Sequence, residues 1–261
     1  MIKASISVHV LKCNNYSGVI MIISKVKRFN TRVKNRIKLE YLKRRWAHNY
    51  SPYSFDIDWG SYNYNRISII NLLFSNQVDG KYLEVGCQGN VAFDSIIAKS
   101  KVGVDPVKGG TVRLTSDQYF SNNEEKFDVI FLDGLHTYEQ IRLDIRNAAK
   151  SLKNGRGWIV LHDMLPRNWL EAHVPRISKK WTGDVWKIAF ELKQAANIDF
   201  KIIRIDHGVG VLKISDSRLV SIPDLHSSLK GKNYNYFYQN INSLPVVEYK
   251  DGRDWICSYL A

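Results

Sequence analysis

The stretch Lys81 to Asp105, KYLEVGCQGNVAFDSIIAKSKVGVD, decides the fold. Tyr82, Leu83 and Val85 form a short apolar run of strand-forming residues, and Gly86 and Gly89 follow at a turn. Val91, Ile96, Ile97 and Ala98 can line the buried face of a helix. Val102 to Val104 make a second strand, and Asp105 stands at its end. Strand, glycine turn, helix, strand, acid is the order of the first βαβ half of a doubly wound α/β sheet. The glycines let a ligand approach backbone that a side chain would shield. An acid at the second strand's end can accept hydrogen bonds from two ribose hydroxyls. The stretch predicts a nucleoside-containing cofactor at the carboxyl edge of the sheet.

Downstream, Thr111 to Leu114 reads as a third strand, ending in Thr115-Ser116-Asp117. FDVIFL, Phe127 to Leu132, is almost continuously apolar, as a central parallel strand buried on both faces is. It ends in Asp133-Gly134. Thr137 and Gln140 have capping-box spacing for a helix whose buried face is Ile141, Ile145, Ala148, Ala149 and Leu152, closed by Gly155 and Gly157. Trp158 to Leu161 is a fifth strand and ends in His162-Asp163. A helical stretch over Val174 to Gln194 contains the segment WTGDVW. Phe200 to Ile205 and Val209 to Ile214, joined by Asp206-His207-Gly208, then close the sheet as a hairpin. The pattern predicts seven strands with the last one antiparallel and helices on both faces.

Upstream, residues 49–65, NYSPYSFDIDWGSYNYN, read as an aromatic, polar loop or lid, and Arg66 to Phe74 as a short helix. Residues 25–48 have a helical period, with Val26, Phe29, Val33, Ile37 and Tyr41 on one stripe among basic residues. Such a helix is either a solvated element on the domain or a basic face for an anionic membrane or an acidic partner. Residues 1–24 carry no pattern, and Met21 opens a second start-like stretch. The predicted organisation is a basic helical extension over 1–48, a catalytic domain over 49–214, and a C-terminal extension over 215–261 packed on it.

The formal net charge of +13 is local. Of 38 Lys and Arg, ten lie between Lys25 and Arg45 with one acid, Glu40, and two lie in residues 1–24. The remaining 216 residues carry 26 basic and 24 acidic side chains, a net of only +2, which argues against nucleic acid as the domain's partner. Cys13, Cys87 and Cys257 are far apart and odd in number, which suits a reducing compartment and gives no metal spacing. The apolar run Val19 to Ile23 is far short of the ~20 residues a membrane span needs. A cytoplasmic location is expected.

With these elements in order, the chain resembles the class I S-adenosylmethionine-dependent methyltransferases. Within them it is similar to a bacterial family with one strand ending in DGLHxYEQ, here Asp133 to Gln140, and a later strand ending in HD, here His162-Asp163. LEVGCQGN, GVDP, TSDQYF and WTGDVW resemble that family too, over about Tyr50 to Ile214. One position departs: Gln88 stands where the common ExGxGxG turn has its middle glycine.

The resemblance implies a seven-stranded Rossmann-like sheet and S-adenosyl-L-methionine as cofactor. It implies that Glu84, Gly86 and Gly89 border the methionine and ribose, that Asp105 holds the ribose, and that Ser116 and Asp117 reach the adenine. Asp133, His136, His162 and Asp163 end adjacent strands and so converge on the ligand crevice. His162 and His136 are general-base candidates, since imidazoles titrate near neutrality, and Asp133 joins them as a catalytic and cofactor-side acid. Asp133, His162 and Asp163 form a candidate set for one divalent cation, Mg²⁺ or Mn²⁺. The leading expectation is methyl transfer to a hydroxyl of a small molecule, a sugar or glycoside in polysaccharide or natural-product tailoring. Two alternatives stand beside it: RNA methylation using the basic N-terminal segment, and a cofactor-binding module without activity. The oligomeric state is left open.

Overall fold

A computed structural model of the chain describes residues 33–77 and 79–261. The chain divides into two compact units, Met1–Tyr50 and Ser51–Ala261. Within the described residues of the first, 33–45 form a helix, α1. The expectations for residues 1–32, Val26 and Phe29 among them, lie outside the described residues.

The second unit is built on one seven-stranded sheet. In chain order its strands are β1 (Lys81–Val85), β2 (Ser100–Val104), β3 (Val129–Leu132), β4 (Gly157–Leu161), β5 (Ile198–Ile203), β6 (Val209–Ile214) and β7 (Val246–Val247). In space the order is β2-β1-β3-β4-β6-β5-β7. The pairs β1–β2, β1–β3, β3–β4 and β5–β7 are parallel, while β6 runs antiparallel to both β4 and β5. The reversed strand is therefore the expected 209–214, set between β4 and β5. Every residue of β3 and β4 is buried, as their apolar runs require.

The helices that position the crevice are short. They are α2 (Arg66–Leu73), α3 (Val91–Ser95), α4 (Ser116–Asn122) and α5 (Tyr138–Lys150), followed later by α6 (Ile188–Leu192), α7 (His226–Leu229), α8 (Tyr234–Asn240) and α9 (Tyr249–Leu260). Helix α5 buries Ile141, Ile145, Ala148 and Ala149 as its period predicts. Each fully buried aliphatic side chain contributes ~1.5–3 kcal/mol. No helix among the described residues is long and apolar enough to cross a membrane.

Four expectations are corrected. Thr111 to Leu114 is not a strand; only one bridge, Val104 to Val112, forms there, because Gly109 and Gly110 (φ +75° and +67°) fold the segment back on β2. The seventh strand is instead β7, from the segment read as a C-terminal extension. That segment also supplies Gly252, whose backbone lies so close to Ile203 that a Cβ would stand 2.7 Å from the Ile203 side chain. Helix α3 stops at Ser95, so Val91 and Ile97 point outward at 68% and 65% exposure, while Ala92, Phe93, Ile96 and Ala98 are buried. Residues 174–184 are not helical; regular turns begin at Val185. Of the two readings of the aromatic stretch, the packed loop has the rings stacked in pairs, Tyr53 on Tyr238 and Tyr64 on Tyr249.

Candidate functional site

The ends of β1, β2, β3, β4 and β5 share one edge of the sheet, and the ladder continues into the residues beyond them. Gly86 N–H donates to Val104 O (2.8 Å), Asp133 N–H to Val85 O (2.8 Å), and His162 N–H to Leu132 O (3.3 Å). The side chains that follow these strands are thus fixed by backbone pairing rather than by loops.

On the β1–β2 side, Asp105 is 8% exposed and organises the Gly86–Asn90 loop. Its Oδ2 accepts from Gln88 N–H (2.9 Å), and its Oδ1 from Val107 and Lys108 N–H (2.8 Å each). Burial works to raise its pKa, but those three donors lower it. A carboxylate offers about four acceptor positions, so Asp105 keeps room for a ribose hydroxyl on Oδ2. The loop takes left-handed backbone at Gln88 (φ +46°) and Asn90 (φ +62°), the path that replaces the missing middle glycine. The two motif glycines differ. Gly86 has φ +92°, and a Cβ there would stand 2.2 Å from Asp133 O. A Cβ on Gly89 would meet nothing within 4 Å. The loop is therefore open at Gly89 and closed at Gly86, a cradle that fits a cofactor lying against Gly89.

Glu84 is buried, and its Oε2 accepts from Tyr82 O–H (2.7 Å). Burial pushes its carboxyl up to about 7 despite that hydrogen bond, with the Asp133 charge adding to the effect. Ser116 and Asp117 open α4, but the helix cap is Thr115, in a full capping box with Gln118. The expected box on α5 is incomplete. Thr137 accepts from Gln140 N–H, whereas the Gln140 amide donates to Ser116 Oγ (3.1 Å), Asp117 Oδ1 (2.9 Å) and Asp144 Oδ1 (3.1 Å). That amide ties the expected adenine edge to α5.

On the β3–β4 side, Asp133, His136 and Asp163 each offer a ligand atom within 4.8 Å of the others. His136 Nε2 lies 3.3 Å from Asp133 Oδ1, and Nδ1 lies 2.9 Å from Asp163 Oδ2. His136, rather than the expected His162, thus shares this cluster with the two carboxylates. His162 Nδ1 faces the same carboxylates, at 3.2 Å from Asp133 Oδ1 and 3.5 Å from Asp163 Oδ1, but its Nε2 points away. Two carboxylates and one imidazole at this spacing suit a transition-metal ion such as Mn²⁺ better than Mg²⁺.

Burial disfavours charge on both imidazoles, but their carboxylate partners prevail. His136 is pushed up to about 10 by hydrogen bonds to Asp133 and Asp163, and His162 well above the usual range by the same two acids. Burial would likewise raise Asp133, yet the His162 charge and both histidine hydrogen bonds hold it far below the carboxylate range. Both imidazoles are thereby biased toward the protonated form.

WTGDVW has a definite use here. Trp181 stacks on His136 (5.2 Å between ring centres, 17° between planes), and Asp184 Oδ1 accepts from Tyr138 N–H (2.7 Å) at the start of α5. Gly183 (φ +63°) lies so close to His136 O that a Cβ would stand 1.7 Å from it. The segment therefore clamps His136 from behind.

A further group of polar residues, not foreseen in the sequence, borders the crevice. Asp206 and His207 form the turn between β5 and β6, at the same sheet edge, both in left-handed backbone (φ +44° and +62°), as is Asp163 (φ +60°). Such backbone in residues with side chains costs about 1–3 kcal/mol each and concentrates at functional sites. Asp206 Oδ2 accepts from Arg66 N–H (3.1 Å) and Nη1 (2.8 Å) and stands 3.6 Å from His162 Nε2. Four buried polar atoms around it have no hydrogen-bond partner among the described residues: Trp59 Nε1, Arg66 Nε, His162 Nε2 and His207 Nδ1. Buried orphans of this kind mark a place where ligand or water completes the set. Burial, with the His162 charge, lowers the His207 pKa from its ordinary value. An Asp-His pair at the sheet edge was the available signal, and reading it only as a hairpin turn hid it.

Comparison with known proteins follows this geometry. The family described as Methyltransferase domain matches residues 66–164. No curated protein matches the chain. Similar solved structures include the SAH-bound methyltransferase PaMTH1 of Podospora anserina, at 15% identity over 72% of this chain and 97% of that one, TM-score 0.44. An O-methyltransferase from Bacillus cereus in complex with SAH is 12% identical over 68% and 90%, TM-score 0.44. TomG from Streptomyces achromogenes, an O-methyltransferase of tomaymycin synthesis in complex with SAM, is 13% identical over 57% and 78%, TM-score 0.40. The matched segment holds the Gly86–Asn90 loop, Asp105, Asp133, His136, His162 and Asp163, so residues 66–164 carry a methyltransferase domain.

Proposed function

We propose that this methyltransferase transfers its methyl group to a hydroxyl of a small polar acceptor, a saccharide or glycoside, at the carboxyl ends of β3 and β4. The observation that carries the reading is the convergence of Asp133, His136 and Asp163 beside the Gly86–Asn90 loop. Asp105 would hold the ribose, Glu84 and Gly89 would border the methionine end, and Ser116, Asp117 and Gln140 would meet the adenine edge. The cofactor supplies an electrophilic methyl on a sulfonium, so the protein's own task is to aim an acceptor oxygen in line and remove its proton.

His162 is the proposed base. Asp133 and Asp163 hold a proton on it; a divalent cation shared by those carboxylates and His136 would withdraw that hold and, when bound, would lower the pKa of the acceptor hydroxyl. The orphaned donors of Trp59 and Arg66 and the Nδ1 of His207 provide hydrogen bonds for further hydroxyls of the acceptor, which favours a polyol over an apolar ring. The test is methyl release from labelled S-adenosylmethionine to a panel of glycosides and catechols, with chelator and with added Mn²⁺. Glycoside methylation restored by Mn²⁺ supports the reading; transfer to catechols alone contradicts the acceptor class.

A further inference from the structure

Ten basic residues lie between Lys25 and Arg45, and the described part of that segment is α1. Val33, Ile37 and Tyr41 recur every four residues, so they form one stripe along the helix. All three are exposed, at 41%, 66% and 62%. At 100° per residue, Lys34 and Lys38 flank the stripe on one side and Arg36 on the other. Leu39 and Leu42, turned to the opposite side, are half-buried. The one acid, Glu40, is already paired with Lys43 at 2.9 Å. Lys34, Arg36, Lys38 and Arg44 make no ion pair among the described residues.

We propose that α1 docks on an anionic lipid bilayer, with Val33, Ile37 and Tyr41 entering the headgroup boundary and the flanking Lys and Arg side chains meeting lipid phosphates. An exposed apolar stripe flanked by cations is the pattern of an interfacial helix. Each cation near an anionic surface adds attraction that falls off within a Debye length. A nucleic-acid backbone would use the cations but would leave aliphatic Val33 and Ile37 in water, and no base-stacking surface accompanies them. The charge is also confined: with +2 over residues 46–261, the attraction is carried by the N-terminal segment.

The test is sedimentation of the full-length protein with phosphatidylcholine vesicles, with and without about 30 mol% phosphatidylglycerol. Partition at least about tenfold higher on the anionic vesicles is expected, lost at about 0.5 M salt. Both residues being exposed, Ile37→Glu with Tyr41→Glu leaves the fold intact, which circular dichroism and unchanged S-adenosylhomocysteine affinity verify. The double variant should lose about tenfold in partition on anionic vesicles. Equal pelleting with both vesicle types, or no pelleting, overturns the proposal. So does retention of single-stranded RNA, tighter than that of the anionic vesicles and unchanged in the double variant.

Discussion

Nδ1 of His136 stands 2.9 Å from Oδ2 of Asp163, although one residue follows β3 and the other ends β4. The contact is made possible by the parallel β3–β4 register, which brings Leu132 beside Leu161 and so places the residues after both strands at the same height. Trp181 then holds the imidazole plane from the other side. An imidazole fixed between two carboxylates that belong to different strands is a preorganised site, and its consequences can be measured.

A divalent cation should stabilise the protein through this cluster. Mn²⁺ is expected to raise the melting temperature by several degrees, following the mass-action stabilisation of any ligand that binds only the folded state. Asp163→Asn should remove the rise while S-adenosylhomocysteine affinity, read by calorimetry, stays within about twofold of the unsubstituted protein. An undiminished Mn²⁺ response in Asp163→Asn would take the cation elsewhere.

The two motif glycines should separate. Gly86→Ala forces a Cβ into Asp133 O and strains a left-handed residue, so it should cost about 2–4 kcal/mol in urea unfolding. Gly89→Ala meets open space and should leave stability within about 0.5 kcal/mol, while weakening cofactor binding by tenfold or more as the methyl fills the cradle. Equal loss of stability in both would contradict the closed and open ends of the loop.

Glu84 should give stability a specific pH dependence. Its carboxyl is pushed up to about 7 from an ordinary 4.5, so the folded state holds a proton that the unfolded chain releases earlier. Stability from this residue is therefore full below about pH 4.5, declines as pH rises, and is lost above about 7. Glu84→Gln should be near neutral at about pH 4 and stabilising by up to ~3 kcal/mol at about pH 8. Denaturant unfolding at both pH values tests this; a constant difference between the two proteins would contradict it.

His162→Gln should lower turnover by about 10²–10⁴ while leaving cofactor affinity nearly intact. His162 is buried and its Nδ1 touches both Asp133 and Asp163, so a urea unfolding curve must accompany the kinetics. Turnover unchanged in a folded variant would move the base role to His207, the imidazole whose pKa burial lowers.

What could be read from the sequence was what local pattern determines. The VIFL and WIVL runs announced two strands buried on both faces, and the polar residues directly after them announced the crevice. The stripe Ile141, Ile145, Ala148, Ala149 gave α5. Contacts between distant segments were not legible. Thr111 to Leu114 has strand composition, but the left-handed Gly109 and Gly110 turn it away after a single bridge. Val246–Val247 is too short to signal a strand, and only its neighbour β5 makes it one. That His136 rather than His162 faces both carboxylates with separate ring nitrogens depends on the clamp by Trp181 and Gly183, some 45 residues away. The Arg66–Asp206 pair spans 140 residues and had no local pattern to betray it.

In the proposed reaction the methyl group lies between Asp105 and the Asp133–His136–Asp163 cluster. The most direct measurement is a crystal structure of the protein with S-adenosylhomocysteine. The ribose hydroxyls should lie within hydrogen-bond distance of Asp105 Oδ2, with the adenosyl–homocysteine chain passing Gly89 and the sulfur turned toward Asp133. A complex with the ribose away from Asp105, or with the sulfur facing away from Asp133 and His136, would contradict the account.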